Sequence, residues 1–154
     1  MSPPYNERVT IGPTAPRSIP DRERVEAALA ETVRADPAVL AAYVFGSVAR
    51  GTAGPLSDVD VALLVQGGAD TQAVCDRTSD ALSRLLGTSR VDVISLADAR
   101  VPLRYQVVRD GRLVMQRDAR RLERFVVETV LAYLDFKPLR DRAFAHMRDA
   151  ILHE

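Results

Sequence analysis

Three aspartates and one glycine–serine pair are the residues of this chain whose types and spacing could do chemistry. Phe45-Gly46-Ser47 is followed, after ten intervening residues, by Asp58-Val59-Asp60, and a third acid, Asp92, lies inside the apolar run Val91 to Ser95. Side chains alternate along a strand, so Asp58 and Asp60 project from one face with origins roughly 6 to 7 Å apart. Left unpaired, two such charges repel by roughly 2.5 kcal/mol at an effective dielectric of about 20. A divalent cation reverses that penalty. Magnesium takes hard oxygen ligands and keeps waters or phosphate oxygens in its shell, so one or two carboxylates per ion plus a triphosphate is the arrangement to expect. Two ions roughly 4 Å apart would hold the attacking and leaving oxygens of an in-line displacement at phosphorus, with Asp92 completing the second ion and helping to deprotonate the acceptor.

A triphosphate also needs a cradle. Gly46-Ser47 falls where an apolar run turns into a short helix: glycine permits close backbone approach, and amides with the serine hydroxyl can donate to phosphate oxygens. Arg50, one helical turn onward, could meet phosphate or the acceptor, or form an ordinary surface ion pair. A lone Gly-Ser says nothing, and a lone Asp-x-Asp is more often a solvated loop end than a metal site. The combination reads differently, because Asp60 and Asp92 both sit inside apolar strand patterns, where an uncompensated carboxylate is costly.

The elements that must position these groups follow from periodicity. Val25, Ala28, Leu29, Thr32 and Val33 predict a helix behind the cap candidate Ser18, with Pro20 and Asp21 in its first turn and Asp36-Pro37 closing it. Val39 to Phe45 reads as a buried strand ending at Gly46, and Asp58 to Val65 as a second strand bounded by Gly67-Gly68. Asp70 to Leu86 reads as an amphipathic helix stopped by Gly87, Arg90 to Leu96 as a third strand, and Ala97 to Val108 as a helix with Pro102 in its first turn. After Gly111 comes a short strand, Arg112 to Gln116. A helix from about Asp118 to Asp135 is expected to be interrupted by Pro138 and followed by another over Leu139 to Leu152. Strands separated by helices predict an α/β layer architecture: a small mixed β-sheet of three to four strands flanked by helices, with a C-terminal helical extension.

Composition bounds the rest. At 154 residues and 47% hydrophobic, the chain fits one compact domain. Residues 1–18, rich in proline, read as a flexible arm, 19–137 as the domain proper, and 138–154 as a helical tail. Basic and acidic residues balance at 21 each, so no net field draws the chain to nucleic acid, and no direct nucleic-acid binding is expected. The single cysteine, Cys75, allows no internal disulfide and reads as an ordinary buried helix residue. No signal-like or membrane-length apolar stretch is evident, which points to a cytoplasmic protein without a membrane partner. Homo-oligomerisation stays open.

The stretch from Phe45 to Leu64, Phe-Gly-Ser-Val-Ala-Arg-Gly-Thr-Ala-Gly-Pro-Leu-Ser-Asp-Val-Asp-Val-Ala-Leu-Leu, resembles the signature of the polymerase-beta-type nucleotidyltransferase superfamily. Within it the chain resembles the minimal MntA-like proteins over roughly Val25 to Lys137, the Asp92 strand and Ala132 to Pro138 included. The resemblance implies a nucleotidyltransferase fold and an antitoxin that moves AMP from ATP, with two Mg2+ ions, to a tyrosine of a HEPN ribonuclease toxin. It implies Asp58, Asp60 and Asp92 as metal-binding and catalytic acids, beside which Gly46, Ser47 and Arg50 stand as the candidate nucleotide-binding group. The chain departs from the pattern in its longer N-terminal arm.

Two further functions fit the same residues. The acceptor could be a small molecule such as an aminoglycoside, though the chain is short for a drug pocket. Alternatively the chain neutralises its toxin by covering it, without catalysis. Arg140 and His146 have a spacing loosely like the HEPN ribonuclease pair, but the residues after Asp118 cannot build a HEPN bundle; these two, like His153, read as helix-surface groups.

Overall fold

The computed structural model describes residues 20–152, so the arm expected over residues 1–18 and the terminal His153 lie outside the described residues. The first helix, α1 (Arg22–Arg34), starts at Asp21, whose side chain accepts a hydrogen bond from the Arg24 amide at 2.8 Å. The cap is therefore Asp21 and not Ser18. A capping oxygen must reach the amides of the first turn, which Asp21, directly before it, does; Ser18 lies outside the described residues.

The remaining elements are β1 (Val39–Phe45), α2 (Gly46–Arg50), β2 (Val59–Val65), α3 (Thr71–Leu86), β3 (Val91–Ser95), α4 (Val101–Asp110), β4 (Arg112–Gln116) and α5 (Ala119–Leu152). The strands lie in the order β3-β2-β1-β4. β1 runs antiparallel to both β2 and β4, while β2 and β3 are parallel. This is the mixed sheet expected, with four strands. A parallel pair needs a long crossover, which α3 supplies, and Asp70 caps α3 by accepting from the Ala73 amide at 3.0 Å.

Helices cover both faces. Val25, Leu29 and Val33 of α1 pack with Val44, Val61 and Leu63 on one face, together with Val74 and Leu82 of α3. On the other, Ala62 and Leu64 of β2 meet Leu96, Val107 of α4 and Leu122 of α5. Burial on both sides is why β1 reads as an unbroken apolar run and β2 as one interrupted by Asp60 alone. Cys75 is buried, as expected.

Arg117, just after β4, ties the sheet to α1. Its guanidinium donates to the carbonyls of Val39 (3.1 Å), Val33 (3.3 Å), Arg34 (3.3 Å) and Asp36 (3.4 Å). These include carbonyls that the last turn of a helix leaves unpaired, and a cation there also complements the helix dipole. Arg117→Ala is expected to lower stability by about 1 to 2 kcal/mol in a urea melt, with lysine recovering part of it. An alanine variant as stable as the parent would show that solvent replaces these bonds without loss.

The largest departures from the sequence reading are at the start of α4 and within α5. α4 begins at Val101, not Ala97, because Ser95 folds residues 95–99 into a turn: its carbonyl accepts from the Ala99 amide at 3.0 Å and its hydroxyl from the Asp98 amide at 3.4 Å. Pro102 then sits in the first turn, where its missing amide is harmless.

Pro138 does not interrupt the last helix: α5 runs unbroken through it from Ala119 to Leu152. Side chains bridge the proline. Arg140 donates to the Tyr133 hydroxyl at 2.9 Å from the far side of Pro138, and Tyr133 in turn stacks on Tyr105 of α4, ring centroids 3.8 Å apart. Proline in a helix interior costs about 3 kcal/mol, a penalty that such flanking contacts help offset. The boundary drawn after residue 137 thus falls inside a continuous helix. No helix among the described residues is long and apolar enough to cross a membrane.

Candidate functional site

The acids gather where three strands meet. Register places Asp60 of β2 opposite Phe45, the last residue of β1, on one side and opposite Asp92 of β3 on the other. Since side chains alternate along β2 and Val59, Val61 and Leu63 belong to the α1/α3 face, Asp60 is on the face of Ala62 and Leu64. Asp92, two residues before Ile94, shares that face. Asp58 lies one residue before β2, outside the strand expected to include it, and is exposed, as is Asp92; Asp60 is half-buried.

The electrostatics follow from this placement. Burial, then the charges of Asp92 and Asp58, push the Asp60 carboxyl above its ordinary value, while Arg50 pulls it down. Asp92, Asp58 and Arg50 therefore all act on Asp60. The three acids are not drawn into a closed cage, however: among the described residues no three His, Cys, Asp or Glu side chains stand close enough together to hold a metal ion. The donor chemistry nonetheless suits a hard divalent cation. All three groups are carboxylates, and the flanking pair is exposed and free to turn toward an ion beside the constrained Asp60.

Gly46 adds a constraint that the sequence alone did not reveal. It opens α2 with φ +69, and a Cβ built there would lie 2.0 Å from Oδ2 of Asp60 and 3.0 Å from its Cγ. The glycine is required twice, by its left-handed backbone and by the carboxylate against it. Phe45 occupies the cap position of α2 without a side-chain cap bond, so the cap residue leaves the amides that start this turn unanswered. Ser47 is half-buried, and its carbonyl accepts from the Thr52 amide at 3.0 Å. Arg50, on the last turn of α2, is exposed. Its charge acts on Asp60 and on Asp110 at the end of α4, yet among the described residues it forms no salt bridge, which leaves the surface ion-pair reading without support.

Two residues at the site escaped the sequence reading. Ser57 accepts the Gly54 amide on its hydroxyl at 2.9 Å and donates its own amide to the Gly54 carbonyl at 3.0 Å, closing the turn before Asp58. Arg90, read only as the start of a strand, reaches back to the same segment. The one available signal was a serine immediately before the first acid, a residue type that often folds back on its own backbone. The tail residues behave as expected of helix-surface groups: His146 is exposed, and Arg140 is paired with Asp141 as well as Tyr133.

The family model described as polymerase beta, nucleotidyltransferase matches residues 27–120. No curated protein matches the chain. Among solved structures, a toxin–antitoxin complex with AMP-PNP is 26% identical with a TM-score of 0.68, over 79% of this chain and 97% of that one. A minimal nucleotidyltransferase is 35% identical with a TM-score of 0.52, over 60% of this chain and 95% of that one. An MNT antitoxin in complex with a tri-AMPylated HEPN toxin of Shewanella oneidensis is 23% identical with a TM-score of 0.64, over 82% of this chain and 98% of that one, a likeness of fold.

Proposed function

The chain belongs to the polymerase beta nucleotidyltransferase family, and on that premise we propose that it moves AMP from ATP to a tyrosine hydroxyl of a HEPN toxin and thereby acts as its antitoxin. The observation that carries the reading is the register of the acids, Asp60 beside Asp92 on one side and against Gly46 on the other. Its 26% identical neighbour is a toxin–antitoxin structure with a non-hydrolysable ATP analogue, which supports both the nucleotide and the class of partner.

In this mechanism the acceptor oxygen attacks the α-phosphorus of ATP, the bond from that phosphorus to the bridging oxygen breaks, and pyrophosphate leaves. Asp92 takes up the hydroxyl proton. Gly46 and Ser47 hold phosphate oxygens at the start of α2, where a backbone without a Cβ lets them approach. Arg50 meets the remaining phosphate charge. Asp58, Asp60 and Asp92 would hold divalent cations, two in the arrangement we favour, which when bound supply charge neutralisation at the phosphates. The transfer chemistry is assigned to residues 19–137, and contact with the toxin to the tail, 138–154. The site is proposed to work in the cytoplasm.

The test is direct. Parent protein, purified HEPN toxin from an adjacent gene and ATP labelled on the α-phosphate are expected to give labelled toxin with magnesium and none after chelation by EDTA. Label that never reaches the toxin at saturating magnesium would remove the proposal. A non-catalytic binder is the competing reading, and one observation favours it: α5 exposes Val127, Leu131 and Leu134 along one stripe, with Leu139, Phe144 and Met147 exposed further on. Large apolar groups left in water are a mark of an interaction surface.

A further inference from the structure

Arg90 touches the segment carrying Asp58 at two points, one on each side of that acid. Its guanidinium donates to the Leu56 carbonyl at 2.6 Å, and its own carbonyl accepts the Val59 amide at 2.9 Å. The Arg90 amide is itself held, donating to the Thr88 hydroxyl at 3.2 Å. Asp92 lies two residues further along the same backbone. A single residue thus joins the loop that presents Asp58 to the strand that presents Asp92.

That connection matters because of what surrounds it. Asp60 is fixed by strand pairing on both sides. Asp58 is not: it is exposed, precedes β2, and follows a segment with Gly51, Gly54 and Pro55 that belongs to no helix or strand. Leu56, the acceptor of the guanidinium, is 77% exposed, so no packing holds it. The Gly54–Ser57 turn shapes the loop internally but does not anchor it to the sheet. Among the described residues, the Arg90 guanidinium is the side-chain anchor from this loop to a neighbouring strand.

We propose that Arg90 is a positioning residue for the transfer reaction, clasping residues 56 and 59 so that Asp58 and Asp92 are held at one separation when metal and nucleotide arrive. This rests on the proposed function. In this role Arg90 acts through Asp58, by way of the Leu56 carbonyl and the Val59 amide. Groups that orient metal ligands from behind typically change metal affinity or activity by about 10- to 100-fold when removed.

The experiment compares full-length parent, Arg90→Ala, Arg90→Lys and Asp58→Ala in two readouts. One is the rate of label transfer as magnesium is varied. The other is binding of Mn2+ in the presence of AMP-PNP, followed by electron paramagnetic resonance, which needs no acceptor and no turnover. Arg90→Ala is expected to raise the magnesium and manganese concentrations for half-saturation by about tenfold, with a melting temperature within about 2 °C of the parent. Arg90→Lys, still able to donate to the Leu56 carbonyl, is expected to recover most of the loss. Arg90→Ala with parental metal dependence overturns the proposal, as does a loss that lysine does not relieve or that only follows a fallen melting temperature. If the parent transfers nothing, the transfer reading fails and the manganese titration still decides: Asp58→Ala weakening binding while Arg90→Ala leaves it untouched refutes the role of Arg90 by itself.

Discussion

Gly46→Ala is expected to lower the rate of AMP transfer by about a hundredfold, the penalty associated with a displacement of about 1 Å in a catalytic group. The added methyl would lie 2.0 Å from the Asp60 carboxylate oxygen, so that carboxylate must turn away or the backbone must shift. Neither is easy. Asp60 is held in register by Phe45 and Asp92, and the backbone at Gly46 occupies a φ of +69, where an L-residue costs about 1 to 2 kcal/mol. Steady-state rates with labelled ATP, beside a thermal melt, separate the two effects. The expected pattern is a large fall in rate with a modest fall in melting temperature. A variant that transfers AMP at the parental rate would show that Asp60 has no fixed position to lose.

The paired substitution Asp58→Ala with Asp60→Ala is expected to reduce transfer by about a thousandfold or more, equivalent to roughly 4 kcal/mol of transition-state stabilisation. In cells it decides between catalysis and occlusion, because a chain that neutralises its toxin by covering it protects as well without the acids as with them. Equal protection by variant and parent would retire AMP transfer as the antitoxin mechanism. Stability should move the other way. The Asp60 carboxyl is raised above its ordinary value of 3.8 by burial and by its two acidic neighbours. A raised carboxyl favours the folded state only while protonated, so its contribution is fully present below the unfolded value and is lost as pH rises through the folded one. At neutral pH without metal the double variant should therefore melt no lower than the parent, and its advantage should shrink as pH falls through the raised folded value of Asp60 and be gone below the unfolded value of about 4.

How much of this was legible in the sequence depends on the range of the interaction involved. Val39–Phe45 and Arg112–Gln116 match their expected strands residue for residue, since each apolar run is cut by a glycine, Gly46 after the one and Gly111 before the other. The pairing of Asp60 with Asp92 was foreseeable in kind, because two acids in apolar strands need a common neighbour. Their alignment at one rung of a parallel ladder was not, since it depends on how α3 returns the chain. The contact of Gly46 with Asp60 joins residues fourteen positions apart through β-pairing, and no local pattern encodes it. Pro138 misled for the same reason. Local rules stop a helix at proline, whereas Arg140, Tyr133 and Tyr105 support it with contacts that involve a second helix.

The place of β1 between β2 and β4 has a consequence for biosynthesis. β1 is among the first strands to leave the ribosome, yet the partner that covers its second edge is the last, residues 112–116. Until those residues emerge, a nascent chain presents the apolar edge of Val39 to Phe45 bare to other chains, the kind of surface on which strands stick together. A messenger cut short between the codons for Phe45 and Gly111 would leave that edge permanently open, so such fragments should be harder to keep in solution than a chain that includes Arg112 to Gln116.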